Sequence, residues 1–283
     1  MRELCRVVKV ARSAYYEWAQ GKSHRHKGPK GQRATDKKVR ESFEFHRGRY
    51  GTKRLADELG MSRERVRRSM RLQGLVSLRP RRRMRTTDSK HNLPVFGNLL
   101  RDLGNEAPRG AGEVFVGDIT YLPLRGGRFC YLTCLQDKCT KRIAGWNVSA
   151  NMKAAAAIDV VRQAHSGGWI KEGAIVHTDQ GAQYASNGYR QLLSKNGFRQ
   201  SMSRKGNCYD NAQAESLFSR IKTELMIDGF FETVDQARSE MRMYIDGYYN
   251  TIRRHSALGN RSPMKFEKYL KSKERRLESV RHT

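Results

Sequence analysis

Between residues 114 and 225 strand-like and helix-like runs alternate in an order that few folds accept. Val114–Leu124, Phe129–Leu135 and Ile143–Val148 are rich in β-branched and aromatic residues, with Gly or charged turns between them. An alanine-rich helical run, Lys153–His165, follows, then a short apolar strand, Ala174–His177. A helix over Tyr189–Asn196, a strand over Phe198–Met202 and a helix around Glu215 complete the series. Three strands in a meander followed by helix–strand–helix–strand–helix predict an α/β domain built on a mixed sheet. A last helical region is expected over Val234–Tyr249, before a charged tail.

At 283 residues the chain accommodates about two domains. Its formal charge of +28 and pI near 10.3 favour a polyanionic partner, and nucleic acid is the usual one. No apolar run approaches the roughly 20 residues that span a bilayer, and the N-terminus lacks the apolar core of a signal peptide. Five cysteines without paired spacing fit a reducing compartment, so a soluble cytoplasmic protein is expected. The charge is uneven. Residues 1–110 carry 29 Lys and Arg against 11 Asp and Glu, and residues 111–283 carry 27 against 17.

The basic part reads as a binding module. Residues 5–18 suit two short helices with Ser13 as a cap, residues 21–34 suit a linker, and Asp36–His46 suits a helix. In YGTKRLADELGMSRERVRRSMRLQGL, Ala56, Gly60 and Val66 stand at the offsets of a helix-turn-helix, with Ser62 as N-cap of the second helix. Ten arginines and one acid lie between Ser62 and Arg85. Arg63, Arg67 and Arg71 share a face that Arg65 and Arg68 flank. This suits a recognition helix in a major groove, while Arg81, Arg82 and Arg83 sit in a basic arm suited to phosphates or a minor groove. Residues 86–111, with Pro94 and Pro108, read as a linker with a short apolar segment.

The chemistry centres on SMSRKGNCYDNAQAESLFSRIKTEL, residues 201–225. In a helix, Asn211, Ser219 and Lys222 fall within about 40° of Glu215. Ala214, Leu217, Phe218, Ile221 and Leu225 gather on the adjoining face, which is the one expected to be buried. Asp118 lies within the first strand, and Asp179 just past the strand AIVH; 35 residues separate Asp179 from Glu215. Three carboxylates brought together from separate elements suit Mg²⁺ or Mn²⁺, and a pair of such ions suits in-line phosphoryl displacement.

These residues and their surroundings carry a resemblance. Asp118, Asp179 and Glu215 are similar to the DDE pattern of retroviral-type integrases. The words DITY, HTDQGAQY, MSRKGNCYDNAQAES with IKTE, and YNTIRRHSALGNRSP resemble the OrfB-type transposases of the insertion-sequence-three family. The resemblance runs through nearly the whole chain. It implies a ribonuclease-H-like catalytic fold and Mg²⁺-dependent cleavage and strand transfer at the ends of a mobile element. It also implies Asp118, Asp179 and Glu215 as metal ligands and Lys222 as a contact to DNA, with Lys205 in the loop before the helix as a further candidate contact. Phe115 stands where the family usually has Trp, and Thr140-Lys141 where Ser-Arg is common.

Other residues keep two readings. His177 orients DNA or a ligand, or is a structural histidine; Asp210 and Asn211 cap the Glu215 helix or take part in chemistry. Cys130, Cys134 and Cys139 pack in strands or hold zinc, and Arg253 and His255 contact DNA or dock the C-terminal region. The expected organisation is a helical segment (1–28), a helix-turn-helix domain with a basic arm (29–88), a linker (89–110), a catalytic domain (111–270) and a charged tail (271–283). The expected partners are DNA at element ends and target, further copies of the chain on that DNA, and an upstream-frame protein or fusion. A DNA-binding regulator with a vestigial site and a ribonuclease-H-like nuclease without strand transfer are the alternatives.

Overall fold

The computed structural model describes residues 15–16, 30–79, 94–106, 108–203, 212–226 and 229–281. It divides into two compact units, Met1–Leu78 and Arg79–Thr283.

The described residues of the first unit include the helices α1 (Lys30–Phe45), α2 (Thr52–Leu59) and α3 (Arg63–Leu72). The α2–turn–α3 pair follows the helix-turn-helix expectation in detail. Ala56 and Val66 are buried at the crossing. Gly60 adopts φ +61°, a left-handed turn that costs glycine little, and its N–H caps the Ala56 carbonyl. Ser62 accepts from the Arg65 N–H as the N-cap of α3. Helix α1 begins at Lys30, so the end of the expected 21–34 linker is helical instead. The reason lies in its contacts: Thr35 is buried, and its hydroxyl accepts from Arg65 Nε at 2.9 Å. His46 closes the bundle, stacked 3.6 Å from the Tyr50 ring and bonded to Glu58 of α2.

The second unit is built on a five-stranded mixed sheet of β1 (Val114–Pro123), β2 (Phe129–Asp137), β3 (Ile143–Ser149), β4 (Ile175–Thr178) and β5 (Arg199–Met202). The strand order is β3-β2-β1-β4-β5. The meander strands pair antiparallel, and β4 and β5 add parallel to β1. This is the expected ribonuclease-H-like arrangement. One face packs on α4 (Ala154–Ser166) and α5 (Asn187–Lys195), around Phe115, Leu135, Val160, Val176 and Leu193. The aromatic at position 115 is fully buried there. The other face receives α6 (Ala212–Leu225), which packs on β1.

Two details fix this sandwich. The apolar segment expected inside a linker is docked instead, because β5 is an edge strand with free backbone groups. Met202 N–H donates to the Gly97 carbonyl, and Leu99 N–H to Ser201 Oγ. The opposite edge, β3, is closed by side-chain amides. Asn250 both donates to and accepts from the Ile143 backbone at 3.0 Å, and Gln163 does the same at Trp146. Such caps protect an edge from further strand pairing. The tail expected after residue 270 is part of one continuous helix, α7 (Pro263–Arg281).

Helix α4 lies very close to β3. A Cβ added at Gly145 would stand 2.0 Å from the Val160 carbonyl oxygen, a backbone atom that cannot turn away. Gly145→Ala is therefore expected to destabilise the protein by about 3 kcal/mol in urea denaturation. Gly247→Ala, in a helical segment with nothing within 4 Å of the new methyl, serves as control and should stabilise by about 0.5 kcal/mol.

Candidate active site

Strand pairing brings the two aspartates together. In the parallel ladder, Val116 pairs with His177, the last pair formed. Continuing the register two residues along each strand sets Asp118 beside Asp179. Partners in a parallel pair share a sheet face, and neighbouring strands lie about 4.8 Å apart. Gly117, between Val116 and Asp118, allows this approach: a Cβ there would stand 3.2 Å from the Thr178 methyl. The Asp118 carboxylate accepts from the Ile119 N–H at 2.8 Å, and Asp179 accepts from the Gly181 N–H at 3.0 Å. Phe115 belongs to the core under α4. Alternation along β1 therefore turns Asp118 to the opposite face, the one α6 covers.

Glu215 is exposed in the first turn of α6. Ala214, Leu217, Phe218 and Ile221 are buried as expected. Leu225 is only half-buried. The deeper residue near the end of the helix is Glu224, which lies on the same flank as Leu217, and sequence reasoning missed it. Glu224 takes the Arg253 guanidinium in a buried pair (Arg253 Nε to Glu224 Oε2, 3.0 Å) and accepts from the Tyr244 hydroxyl at 2.8 Å. Burial opposes the guanidinium's charge, but Tyr244 and Glu224 more than offset this and raise its pKa above the ordinary value. Of the two readings for Arg253, docking is the one observed. His255 is also buried, edge-on to the Tyr249 ring.

A second clamp holds the start of α6, two residues before Glu215. The Gln213 amide donates to Gln136 Oε1 at 2.9 Å and accepts from Lys141 Nζ at 2.9 Å. Gln136 in turn donates to the Tyr249 hydroxyl and the Lys141 carbonyl. Burial, and then the neighbouring Lys138 charge, lower the pKa of Lys141. This network was not foreseen. Its one visible signal is a pair of amides, Gln136 and Gln213, within otherwise apolar or catalytic motifs.

The remaining candidates divide clearly. His177 is fully buried and shares a 2.8 Å hydrogen bond with Ser201. Cys130 and Cys134 are buried in β2, with Cys134 directly opposite Asp118 across the ladder; Cys139 is half-buried. Lys222 is half-buried on α6. In the first unit, Arg63, Arg65, Arg67, Arg68 and Arg71 all line the exposed surface of α3. Two of them are engaged: Arg65 ties α3 to Thr35 of α1, and Arg67 pairs with Glu64 at 2.6 Å. Arg81, Arg82, Arg83, Lys205, Asp210 and Asn211 lie outside the described residues.

The donor chemistry fits a hard divalent cation: two carboxylates at adjoining strand positions, with a third on the helix over the same face. Among the described residues, no three His, Cys, Asp or Glu side chains stand close enough together to hold a metal ion. No helix among them is long and apolar enough to cross a membrane.

If the Glu224–Arg253 pair docks the C-terminal region, Arg253→Met should lower stability by about 3–5 kcal/mol in urea, because it leaves a buried carboxylate unpaired. Glu224→Leu combined with Arg253→Met should cost less than Arg253→Met alone. Weaker DNA binding at unchanged stability would instead assign Arg253 to the DNA.

Comparison with known proteins places the chain. Integrase core domain models match residues 108–208 and residues 196–263. The transposase of insertion sequence element IS904 from Lactococcus lactis is 36% identical over 82% of this chain and 92% of its own length. Transposase InsF of insertion sequence IS3A from Escherichia coli K12 is 35% identical over 94% of this chain and 93% of its own length. The 31 kDa protein of insertion element IS600 from Shigella sonnei is 36% identical over 94% and 98%. The HTLV-2 integrase catalytic core, solved in complex with magnesium, aligns with a TM-score of 0.43 at 12% identity, over 55% of this chain and 96% of that one. With the integrase core domain on its mixed sheet and full-length relatives above 30% identity, the chain belongs to the insertion-sequence-three family of transposases.

Proposed function

We propose that this chain cleaves and joins DNA at the ends of an insertion sequence, with Asp118, Asp179 and Glu215 as ligands of two Mg²⁺ or Mn²⁺ ions. The observation that carries this reading is the register of β1 and β4. Its last pair is Val116–His177, and the same register continued two residues along supports a site that joins Asp118 and Asp179 under the Glu215 helix. Bound there, such ions lower the pKa of an attacking oxygen and offset the charge on a leaving one.

The chain's own residues do the positioning. The Ile119 and Gly181 N–H groups each hold an oxygen of one aspartate and so orient the two carboxylates. Lys222 lies about 20° around the helix from Glu215 and offers its ammonium to a DNA phosphate. In the first step water attacks a phosphodiester at an element end, and the broken P–O bond frees a 3′-hydroxyl. In the second, that 3′-hydroxyl attacks a phosphodiester of the target, again exchanging one P–O bond for another. Neither step forms a covalent bond to the protein.

In this reading α3 enters the major groove with Arg63, Arg65, Arg67, Arg68 and Arg71, and Arg81, Arg82, Arg83 and Lys205 contact phosphates. Two element ends are joined in one reaction, so several copies of the chain assemble on the DNA, with an upstream-frame protein or fusion as a further partner. The protein then works in the cytoplasm at the nucleoid.

The test is an oligonucleotide assay with element-end DNA and Mg²⁺. Glu215→Gln should lose cleavage and joining by more than the roughly 100-fold that outer-shell changes reach, with stability unchanged. Normal rates in that variant contradict the ligand assignment. Binding of the same DNA should weaken steeply across a salt series, and a flat response contradicts the basic interface.

A further inference from the structure

Gln136 is an amide in an apolar strand. Only 2% of it is exposed, and its neighbours in β2, Cys134 and Leu135, are buried apolar residues. Its register partner on β1 is Val116, next to Phe115 of the core under α4, so alternation turns Gln136 to the face that α6 covers. A buried amide calls for partners, and both hydrogens and the oxygen of this one are used. Gln136 donates to the Tyr249 hydroxyl at 2.8 Å and to the Lys141 carbonyl at 3.0 Å, and its oxygen accepts from Gln213 Nε2 at 2.9 Å. Lys141 Nζ in turn donates to the Gln213 oxygen at 2.9 Å. These bonds close a ring of Gln136, Gln213 and Lys141, anchored on Tyr249, which is itself only 2% exposed. Either amide turned over would set N–H against N–H, so the ring admits one arrangement. Burial pushes the Tyr249 phenol up to about 12, which keeps the anchor neutral.

The ring grips α6 at Gln213, two residues before Glu215 and about 200° around the helix from it. The apolar face of α6 supplies burial, but apolar contact tolerates rotation. A turn of about 10° carries a side-chain atom about 5–6 Å from the helix axis through about 1 Å. A metal–ligand distance tolerates roughly 0.2 Å. The azimuth of α6 therefore decides whether the Glu215 carboxylate meets an ion that Asp118 and Asp179 hold. A fully satisfied polar ring fixes that azimuth where grease alone does not.

We propose that Gln213, Gln136 and Tyr249 are positioning residues of the metal site, a relay through which the C-terminal stretch sets the azimuth of Glu215. This rests on the assignment of Glu215 as a ligand. None of the three belongs to the ligand set; they act on the backbone that carries it. Losing such outer-shell partners typically weakens metal binding about 10–100-fold.

The test measures Mn²⁺ binding to the full chain by water-proton relaxation, without DNA, together with DNA affinity and Tm. Gln213→Leu should raise the Kd for Mn²⁺ about ten-fold, with DNA affinity at the wild-type value. Gln136→Leu combined with Gln213→Leu should cost no more than the worse single variant, because one ring is lost once. Tyr249→Phe removes a single oxygen and should also weaken Mn²⁺ binding; it decides the matter if Gln213→Leu does not fold. Wild-type Mn²⁺ affinity in folded Gln213→Leu, or in Tyr249→Phe, overturns the proposal. A loss of Mn²⁺ affinity matched by an equal loss of DNA affinity assigns the ring to the fold alone and overturns it too. If Glu215→Gln loses Mn²⁺ affinity in the same experiment, the ligand assignment survives either result. Wild-type affinity in Glu215→Gln removes that assignment and the relay with it.

Discussion

The parallel pairing of β1 with β4 is the contact on which the rest of this molecule depends. Sixty residues separate Asp118 from Asp179 in the chain, and neither has a local reason to meet the other. Three register pairs end at Val116 and His177, two residues before each of them. The approach needs a residue without a side chain at 117, and the Thr178 methyl fills the space that a Cβ there would take. The antiparallel hairpin β1–β2 then holds β1 from its other side over nine residue pairs. Asp118 thus sits on a strand paired on both sides, which suits a site that needs fixed geometry.

Helix α6 is held in a different way. Its apolar stripe supplies the burial, but a stripe by itself permits sliding and rotation. Two polar clamps remove that freedom, with Gln213 bound to the β2–β3 hairpin at the start and Glu224 bound to Arg253 near the end. Both stand on one flank of the helix, away from Glu215. The clamps therefore set the azimuth of the glutamate without using its face. Arg253 and Asn250 come from the same C-terminal stretch and bind α6 and the β3 edge respectively. One segment thus ties the helix to the sheet.

Much of this is legible in the sequence. Strand runs such as Val114–Leu124 carried both alternation and β-branched residues, so their ends shifted by only a few residues. The helix-turn-helix was legible because small, glycine and apolar residues must occupy Ala56, Gly60 and Val66. What could not be read shares one cause: partners distant in sequence. Glu224 looks like an ordinary charge in IKTEL until Arg253 is seen beneath it. Residues 94–106 looked like linker because nothing local shows that Met202 and Ser201 offer them hydrogen bonds. The tie from Arg65 to Thr35 could not be read because Thr35 lies in a segment whose composition suggests no helix. The candidate site was legible as three carboxylates at family spacing. The residues that hold the start of the Glu215 helix, Gln213 and Lys141, were not.

The central claim is that Asp118, Asp179 and Glu215 bind metal at one place. Loading the protein with Fe²⁺ in place of Mg²⁺ and adding ascorbate and peroxide generates hydroxyl radicals at the bound ion, which cut the nearby backbone. Mass spectrometry of the fragments should map cuts close to residues 118, 179 and 215 together, all suppressed by excess Mg²⁺. Cuts confined to one of these positions, or lying elsewhere in the chain, would contradict the account.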